Sequence, residues 1–395
     1  MTRRVFVAGV GMNKFQKPGS SDSYDEMGAR AAREALADAG LAYTDVQQAY
    51  AGYIYGDSTS GQKALYHLGM TGIPIVNVNN NCSSGSTALY LARQAVRSGE
   101  VDCALALGFE QMNPGALKSA WPDRKPALER ANALVHELVG HAEIPTAIRQ
   151  FGGAGQAHMQ KYGTKIGTFA KIRAKASRHA AKNPLAVFRD VVTEEEVLRS
   201  PVLWEGVMTR LMACPPTCGG AAAVVVSEEF ARKRGLRTDV MIAGQGMSTD
   251  PSSTFDTRDM IRVVGTDMTR MAAARAFEQA GVGAEDADVV ELHDCFAQNE
   301  LLTYEALGLC AEGAGEKLVE DGDNTYGGRW VVNPSGGLLS KGHPIGATGL
   351  AQCFELTQQM RGAAGERQVE GARIAVQHNL GLGGAGVVTV YKRMA

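Results

Sequence analysis

The sequence predicts an α/β protein made of two related βαβ-rich halves separated by a mostly helical insertion. Three observations carry this reading. Short motifs in residues 1–112 recur in the same order after residue 237, and the strand-like segments between them are continuous apolar runs, as strands buried on both faces require. About 100 residues, 113–216, are more charged and have no counterpart in the second copy. The expected division is therefore 1–112 plus 217–236 for the first half, 113–216 for an inserted cover domain, and 237–395 for the second half.

The elements pair in order. Val5–Met12 (VFVAGVGM) matches Val240–Met247 (VMIAGQGM): each is expected to be a buried strand running out through Gly-x-Gly into a turn. A helix at 3.6-residue periodicity follows in both copies, Tyr24–Ala39 stopped by Gly40 and Met268–Ala280 stopped by Gly281. Next come the strands Val46–Tyr55 and Val289–Leu292. Cys82-Ser-Ser-Gly-Ser-Thr-Ala-Leu89 and His343-Pro-Ile-Gly-Ala-Thr-Gly-Leu350 then share Gly, Thr and Leu at equal offsets, and each opens an amphipathic helix. The strands Ala104–Gly108 and Ile374–Gln377 close the comparison, the latter running through a glycine-rich loop into Val387–Tyr391. Such βαβ units call for mostly parallel strands.

Composition narrows the function. Lys plus Arg total 40 and Asp plus Glu 42, a net charge of −2 that offers no broad field for nucleic acid or an anionic membrane. A small-molecule substrate is the default. No apolar run reaches the ~18 residues of a membrane span, and the basic Met1–Val7 segment leads straight into a strand instead of a leader's apolar core. Seven scattered cysteines suit a reducing compartment, so a cytoplasmic setting is expected. Cys214-Pro-Pro-Thr-Cys218 lacks a second Cys/His pair at zinc spacing, so no metal is expected. The 47 glycines in 395 residues, about 12%, cluster beside apolar runs and ask for tight turns or close backbone approach.

Four clusters carry candidate chemistry. If the halves are related by a pseudo-twofold axis, Cys82 and His343 occupy equivalent helix N-termini and face each other, a nucleophile and its base. The helix dipole is expected to lower the Cys82 thiol pKa, and Pro344 to take the first helical position so that His343 points outward. Glu291-Leu-His293-Asp-Cys295-Phe296 ends a buried strand, where open α/β sheets place their sites. His293 is the candidate donor to a developing oxyanion and Cys295 a second thiol acid/base. In His378-Asn-Leu-Gly-Leu-Gly-Gly384, too glycine-rich for a strand, backbone N–H groups can approach a reacting carbonyl. No Gly-x-Gly-x-x-Gly opens a helix after the first strand, so a dinucleotide site is not indicated.

Asn81-Cys-Ser-Ser-Gly85, His293-Asp-Cys-Phe296, Ser340-Lys-Gly-His-Pro-Ile-Gly-Ala-Thr-Gly349 and His378–Gly384 stand in the order and spacing of a known family. Across nearly its whole length the chain resembles the thiolases, and within them the sterol-carrier-protein-type thiolases. The resemblance implies a layered α-β-α-β-α fold and a CoA-dependent acyltransferase. Its reaction is thiolysis of 3-ketoacyl-CoA, or the reverse Claisen condensation, in fatty-acid or sterol side-chain degradation. It implies Cys82 as the acylated nucleophile, His343 as its activator, His293 in the oxyanion role and Cys295 in place of the loop cysteine of other thiolases. Leu380 and Gly383 are the candidate backbone donors of a second oxyanion hole. Coenzyme A enters as co-substrate with no permanently bound cofactor, and the family assembles as a dimer or dimer of dimers. The fused lipid-transfer domain frequent in that branch is not in this sequence. Arg124, Lys125, Arg173, Lys175 and Arg178 of the insert are candidate phosphate contacts or solvated helix faces, and His141, His158 and Ser248 are further possible contacts. Two readings compete: a decarboxylating β-ketoacyl synthase using Cys82, His293 and His343, and a non-catalytic lipid-binding homologue. Cys295 argues against the first, and the joint presence of Cys82 and His343 against the second.

Overall fold

The computed structural model describes residues 3–115, 123–140 and 144–394. Its strands are β1 (Val5–Met12), β2 (Gln48–Gly52), β3 (Ile75–Val78), β4 (Cys103–Glu110), β5 (Val202–Trp204), β6 (Met208–Thr209), β7 (Gly219–Ser227), β8 (Val240–Ser248), β9 (Val289–Glu291), β10 (Val331–Val332), β11 (Ile374–Gly381) and β12 (Ala385–Arg393). All but β5 and β6 lie in one sheet of order β10-β9-β11-β12-β8-β1-β7-β4-β2-β3. Read outward from the β1/β8 junction, the two five-stranded halves are mirror copies in order. The junction itself is a single pairing, Phe6 with Met241.

The duplication is thus present in three dimensions, but the strands are not mostly parallel. Parallel pairs occupy the flanks (β2 with β3 and β4; β9 with β10 and β11), whereas every pair from β4 across to β11 is antiparallel. The reason is that each half ends in an extra strand, β7 or β12, which inserts beside the first strand and reverses direction. The β12 strand follows β11 by a tight turn at 382–384, so His378–Gly381 are strand residues paired with Ala385–Val388 and not a loop.

Helix Tyr24–Ala39 covers one face of the first half-sheet and helix Thr266–Ala280 the matching face of the second. Between the halves lie the central helices Ser84–Ser98 and Thr348–Arg361, so that the layers run helix, sheet, helix, sheet, helix. The Gly-x-Gly pairs are not in turns. Gly9, Gly11, Gly244 and Gly246 sit within β1 and β8, where a Cβ would fall 2.2, 2.3, 1.9 and 2.1 Å from the carbonyl oxygens of Ala35, Ala31, Ala276 and Ala272. Each outer helix therefore rests its backbone directly on its strand. Residues between β4 and β7 carry the helices Glu129–Val139, Thr146–Tyr162, Ile166–Ala181 and Glu194–Arg199 and the β5–β6 hairpin.

The first turn of helix Ser84–Ser98 touches the turn that precedes helix Thr348–Arg361 through glycine. A Cβ on Gly85 would lie 2.6 Å from the Gly346 carbonyl oxygen, and one on Gly346 would lie 2.5 and 2.7 Å from the carbonyl oxygens of Phe109 and Gly52. These neighbours are backbone and cannot rotate away. Gly346→Ala is therefore expected to cost about 3 kcal/mol, read as a lowered urea midpoint; an unchanged midpoint would mean that the two halves do not meet this closely.

Candidate active site

Cys82 stands on a sharp turn between β3 and the helix Ser84–Ser98. Asn81 adopts left-handed backbone, φ 49°, which Asn tolerates better than most residues. The Ser84 hydroxyl donates to the Asn81 carbonyl at 2.7 Å and accepts from the Asn80 N–H at 2.9 Å, closing the turn. Across the axis, the π turn Gly337–Lys341 and left-handed Gly342 deliver His343. Its helix begins only at Thr348, so Pro344 is not the first helical residue; its carbonyl instead accepts the N–H groups of Ala347 and Thr348.

The two turns are equivalent at the level of hydrogen bonds. The Thr87 hydroxyl donates to the Ser83 carbonyl and the Thr348 hydroxyl to the Pro344 carbonyl, each at 2.9 Å. With its proton committed, the Thr348 oxygen can only accept, and His343 Nδ1 lies 2.7 Å from it. This arrangement favours the His343 tautomer protonated on Nδ1, with a bare Nε2 that has no hydrogen-bond partner among the described residues. Thr217 completes the seat by accepting the His343 backbone N–H at 2.6 Å.

Cys82 Sγ, one ring nitrogen of His293 and one of His343 all lie within 4.8 Å of one another, and all three residues are buried. Among the described residues this is the one Cys/His/carboxylate trio close enough to hold a metal ion. The imidazoles meet edge to face, with ring centroids 5.1 Å apart. Burial, with electrostatic coupling to Cys214 and Cys82, raises the Cys295 thiol well above its usual range, and its carbonyl accepts the Cys214 N–H at 2.9 Å. The structure thus brings residues 82, 293 and 343 together, with Cys295 two residues beyond His293 and buried.

The electrostatics differ from the sequence expectation. Burial pushes the Cys82 thiol up to about 12, with the neighbouring Glu110 charge adding to it, and so outweighs the helix N-terminus. Burial and the Lys341 ammonium push His343 down to about 3, and burial with the charges of His343 and His378 lowers His293 well below its usual range. Burial thus favours the neutral form of all three groups over a thiolate–imidazolium pair.

Asp294 does not cap its own helix: its carboxyl accepts the N–H groups of Leu338 and Leu339 in the π turn, at 2.7 and 3.4 Å. Glu291 accepts from Ser335 at 2.9 Å and pairs with Lys341 at 3.3 Å. In the β11–β12 region, Leu380 lies in the strand with its side chain buried, and Gly383 is at the exposed tip of the turn, φ 95°. The residues that meet the Cys82 turn are Gly381, whose absent Cβ leaves 2.1 Å to the Asn80 carbonyl oxygen, and Leu382, whose carbonyl accepts from Asn81 Nδ2 at 3.1 Å.

Two insert cations are buried and not solvated. Arg173 and Lys175 are buried on helix Ile166–Ala181, the first donating to Ser340 at 2.8 Å and the second paired with Glu300. Arg124, Lys125 and Arg178 are exposed. His158 is buried between Thr164 and Glu305, Ser248 ends β8, and His141 lies outside the described residues.

Glu110, which no sequence motif marks, ties the segment after β2 to the His343 turn. Its carboxylate accepts the N–H groups of Ile54, Tyr55 and Gly346 at 3.1, 3.0 and 3.1 Å. Burial outweighs these donors and holds its pKa up to about 7, against 4.5 for an ordinary glutamate. A carboxyl with a raised folded pKa binds its proton more tightly when folded. Its stabilisation is complete below about pH 4.5 and is lost as pH rises through 7, roughly 3 kcal/mol in all. Glu110→Gln, neutral throughout, is expected to show a lower but flatter melting temperature between pH 5 and 8 than the parent; an equal slope in both would contradict it.

The chain belongs to the thiolase family. The family model "Thiolase, N-terminal domain" matches residues 5–229 and "Thiolase C-terminal domain-like" matches residues 247–393. It is 54% identical over 394 residues to "Sterol carrier protein 2" of Homo sapiens, covering 99% of this chain and 72% of that protein. It is 34% identical over 397 residues to "Acetyl-CoA acetyltransferase" of Methanothermobacter thermautotrophicus, covering 99% and 100%. Among solved structures, "Ltp2-ChsH2(DUF35) aldolase" superposes with TM-score 0.83 at 22% identity over 99% of this chain and 98% of that one, a likeness of fold alone. Thiolase-family acyltransferase is the class these findings establish. No helix among the described residues is long and apolar enough to cross a membrane.

Proposed function

We propose that the protein is a 3-ketoacyl-CoA thiolase of the sterol-carrier-protein type, working through an acyl-enzyme on Cys82. The supporting observation is the His343 Nε2, without a hydrogen-bond partner among the described residues, in the trio with Cys82 and His293. A fixed tautomer with a free lone pair beside a neutral thiol is what a general base requires.

In the degradative direction, His343 Nε2 takes the Cys82 proton as Sγ attacks the 3-keto carbon. The C2–C3 bond breaks, and its electron pair leaves as the enolate of acetyl-CoA or propionyl-CoA. His293 and the new imidazolium donate to the enolate oxygen, while Cys295 gives its proton to C2. Coenzyme A then passes its thiol proton to the Cys295 thiolate and attacks the acyl carbon. Cys82 departs and recovers its proton from His343. Each well-placed donor to the developing oxyanion is worth about 3 kcal/mol; the Leu380–Gly383 segment, against the Cys82 turn, is the source proposed for the second set.

Because burial favours the neutral form of both groups, proton transfer is proposed to accompany C–S bond formation. A second thiol in the site suits proton delivery to carbon and favours this reading over a decarboxylating synthase, which has no use for it. The acyl group and coenzyme A are bound without a resident cofactor or metal, and the substrates are proposed to reach the site beneath the insert 113–216. The two thiolase halves are proposed to form the body 1–112 plus 217–236 and 237–395. Assembly as a dimer is proposed through edge strand β3, where Val76 is 41% exposed and nearby Met70 78%. A cytoplasmic setting is proposed with it.

The test is thiolysis of straight, 2-methyl-branched and sterol-derived 3-ketoacyl-CoAs. Cys82→Ser is expected to lose at least about 1000-fold in turnover, and Cys295→Ala to stall turnover while still accepting an acyl group on Cys82, seen as a mass increase on the Cys82 peptide. Near-full thiolysis by Cys82→Ser would refute the proposal.

A further inference from the structure

His343 owes its tautomer to Thr348, and His293 has an analogous but longer support that the motif alignment does not disclose. His293 Nδ1 lies 3.0 Å from Asn379 Nδ2. The direction of that bond is fixed from the far end of a chain of buried side chains. Gln377 Nε2 donates to the Gly349 carbonyl at 2.7 Å, an oxygen that can only accept, so the amide orientation of Gln377 is set. Its Oε1 correspondingly accepts from the Tyr391 hydroxyl. The second Nε2 proton goes to Ser86 Oγ at 2.8 Å, and Ser86 passes its own proton on to Asn379 Oδ1 at 2.9 Å. With its oxygen engaged, Asn379 can offer His293 only its NH2 group.

We infer that Asn379 is a positioning residue. Oriented by Tyr391, Gln377 and Ser86, it donates to His293 Nδ1 and so obliges the neutral imidazole to carry its proton on Nε2, the nitrogen left to face the reacting oxygen. The chain crosses the pseudo-twofold axis: Ser86 belongs to the helix that follows Cys82, whereas Gln377, Asn379 and Tyr391 lie on β11 and β12. The half that carries the nucleophile thereby sets the protonation of the oxyanion donor. The catalytic meaning of this rests on the thiolase reading; the tautomer does not.

Nitrogen NMR of protein carrying isotope-labelled histidine, with the His293 signal assigned by its loss in His293→Gln, is expected to show a bare Nδ1 and a protonated Nε2 in the resting enzyme. Asn379→Asp keeps the shape and still accepts from Ser86, but its carboxylate demands a proton from Nδ1. His293 in that variant is expected to shift to the opposite tautomer, or to the imidazolium at low pH. For thiolysis, kcat at pH 8 should then fall about 100-fold and recover as pH drops, because the imidazolium again carries an Nε2 proton; the parent shows no such recovery. Ser86→Ala, which frees the Asn379 amide to rotate, should give a mixture of the two tautomers. An Nδ1-protonated His293 in the parent would overturn the inference, as would an Asn379→Asp variant with unchanged tautomer and pH profile. If the parent cleaves no 3-ketoacyl-CoA, the thiolase reading fails while the spectrum still decides the tautomer.

Discussion

The site depends on backbone touching backbone where the two central helices begin. Gly85, Gly108 and Gly346 interlock there, with the Gly346 carbonyl oxygen only 2.3 Å from where a Gly108 Cβ would stand. Nothing larger than hydrogen fits at these positions, so the turn that holds Cys82 and the turn that holds His343 come together without intervening side chains. Residues 261 positions apart meet because the fold has no room to keep them separate. Glu110 fastens the same junction by collecting N–H groups from both sides of it.

That close approach also excludes water, and exclusion of water governs the chemistry. Burial opposes charge on every group of the trio, raising the thiol and lowering the imidazoles. The protein offsets the cost by committing one nitrogen of each histidine to a fixed partner, Thr348 for His343 and Asn379 for His293. One imidazole is left as an acceptor and the other as a donor, two opposite roles from two identical side chains. Charge arises only when substrate brings an oxygen able to receive the donated proton and a carbon able to receive the sulfur.

Much of this was legible in the sequence because the duplication is written in it. The shared Gly, Thr and Leu offsets after Cys82 and His343 located the two turns, and Thr348, read there only as a repeat position, proves to set the His343 tautomer. Gly-x-Gly in β1 and β8 was visible, but its reason was not: close packing of a helix on a strand and a tight turn both ask for glycine, and the alignment of copies cannot tell them apart. Strand direction was misread because β7 and β12 are continuous apolar runs whose partners are set by tertiary order. A helix N-terminus behind Cys82 is apparent from sequence, whereas the depth of burial that opposes its effect on the thiol is not. Arg173 and Lys175 sit on a charged-looking helix, yet their carboxylate and hydroxyl partners come from segments more than a hundred residues away.

The neutral resting trio can be read directly from the rate at which Cys82 is alkylated by iodoacetamide as a function of pH, followed by mass on the Cys82 peptide. The rate should climb steadily through pH 9 with no plateau near neutrality, and His343→Ala should leave the shape of that profile unchanged. A plateau with an apparent pKa below 7 that disappears in His343→Ala would mean that thiolate and imidazolium exist before substrate arrives, and would contradict the account.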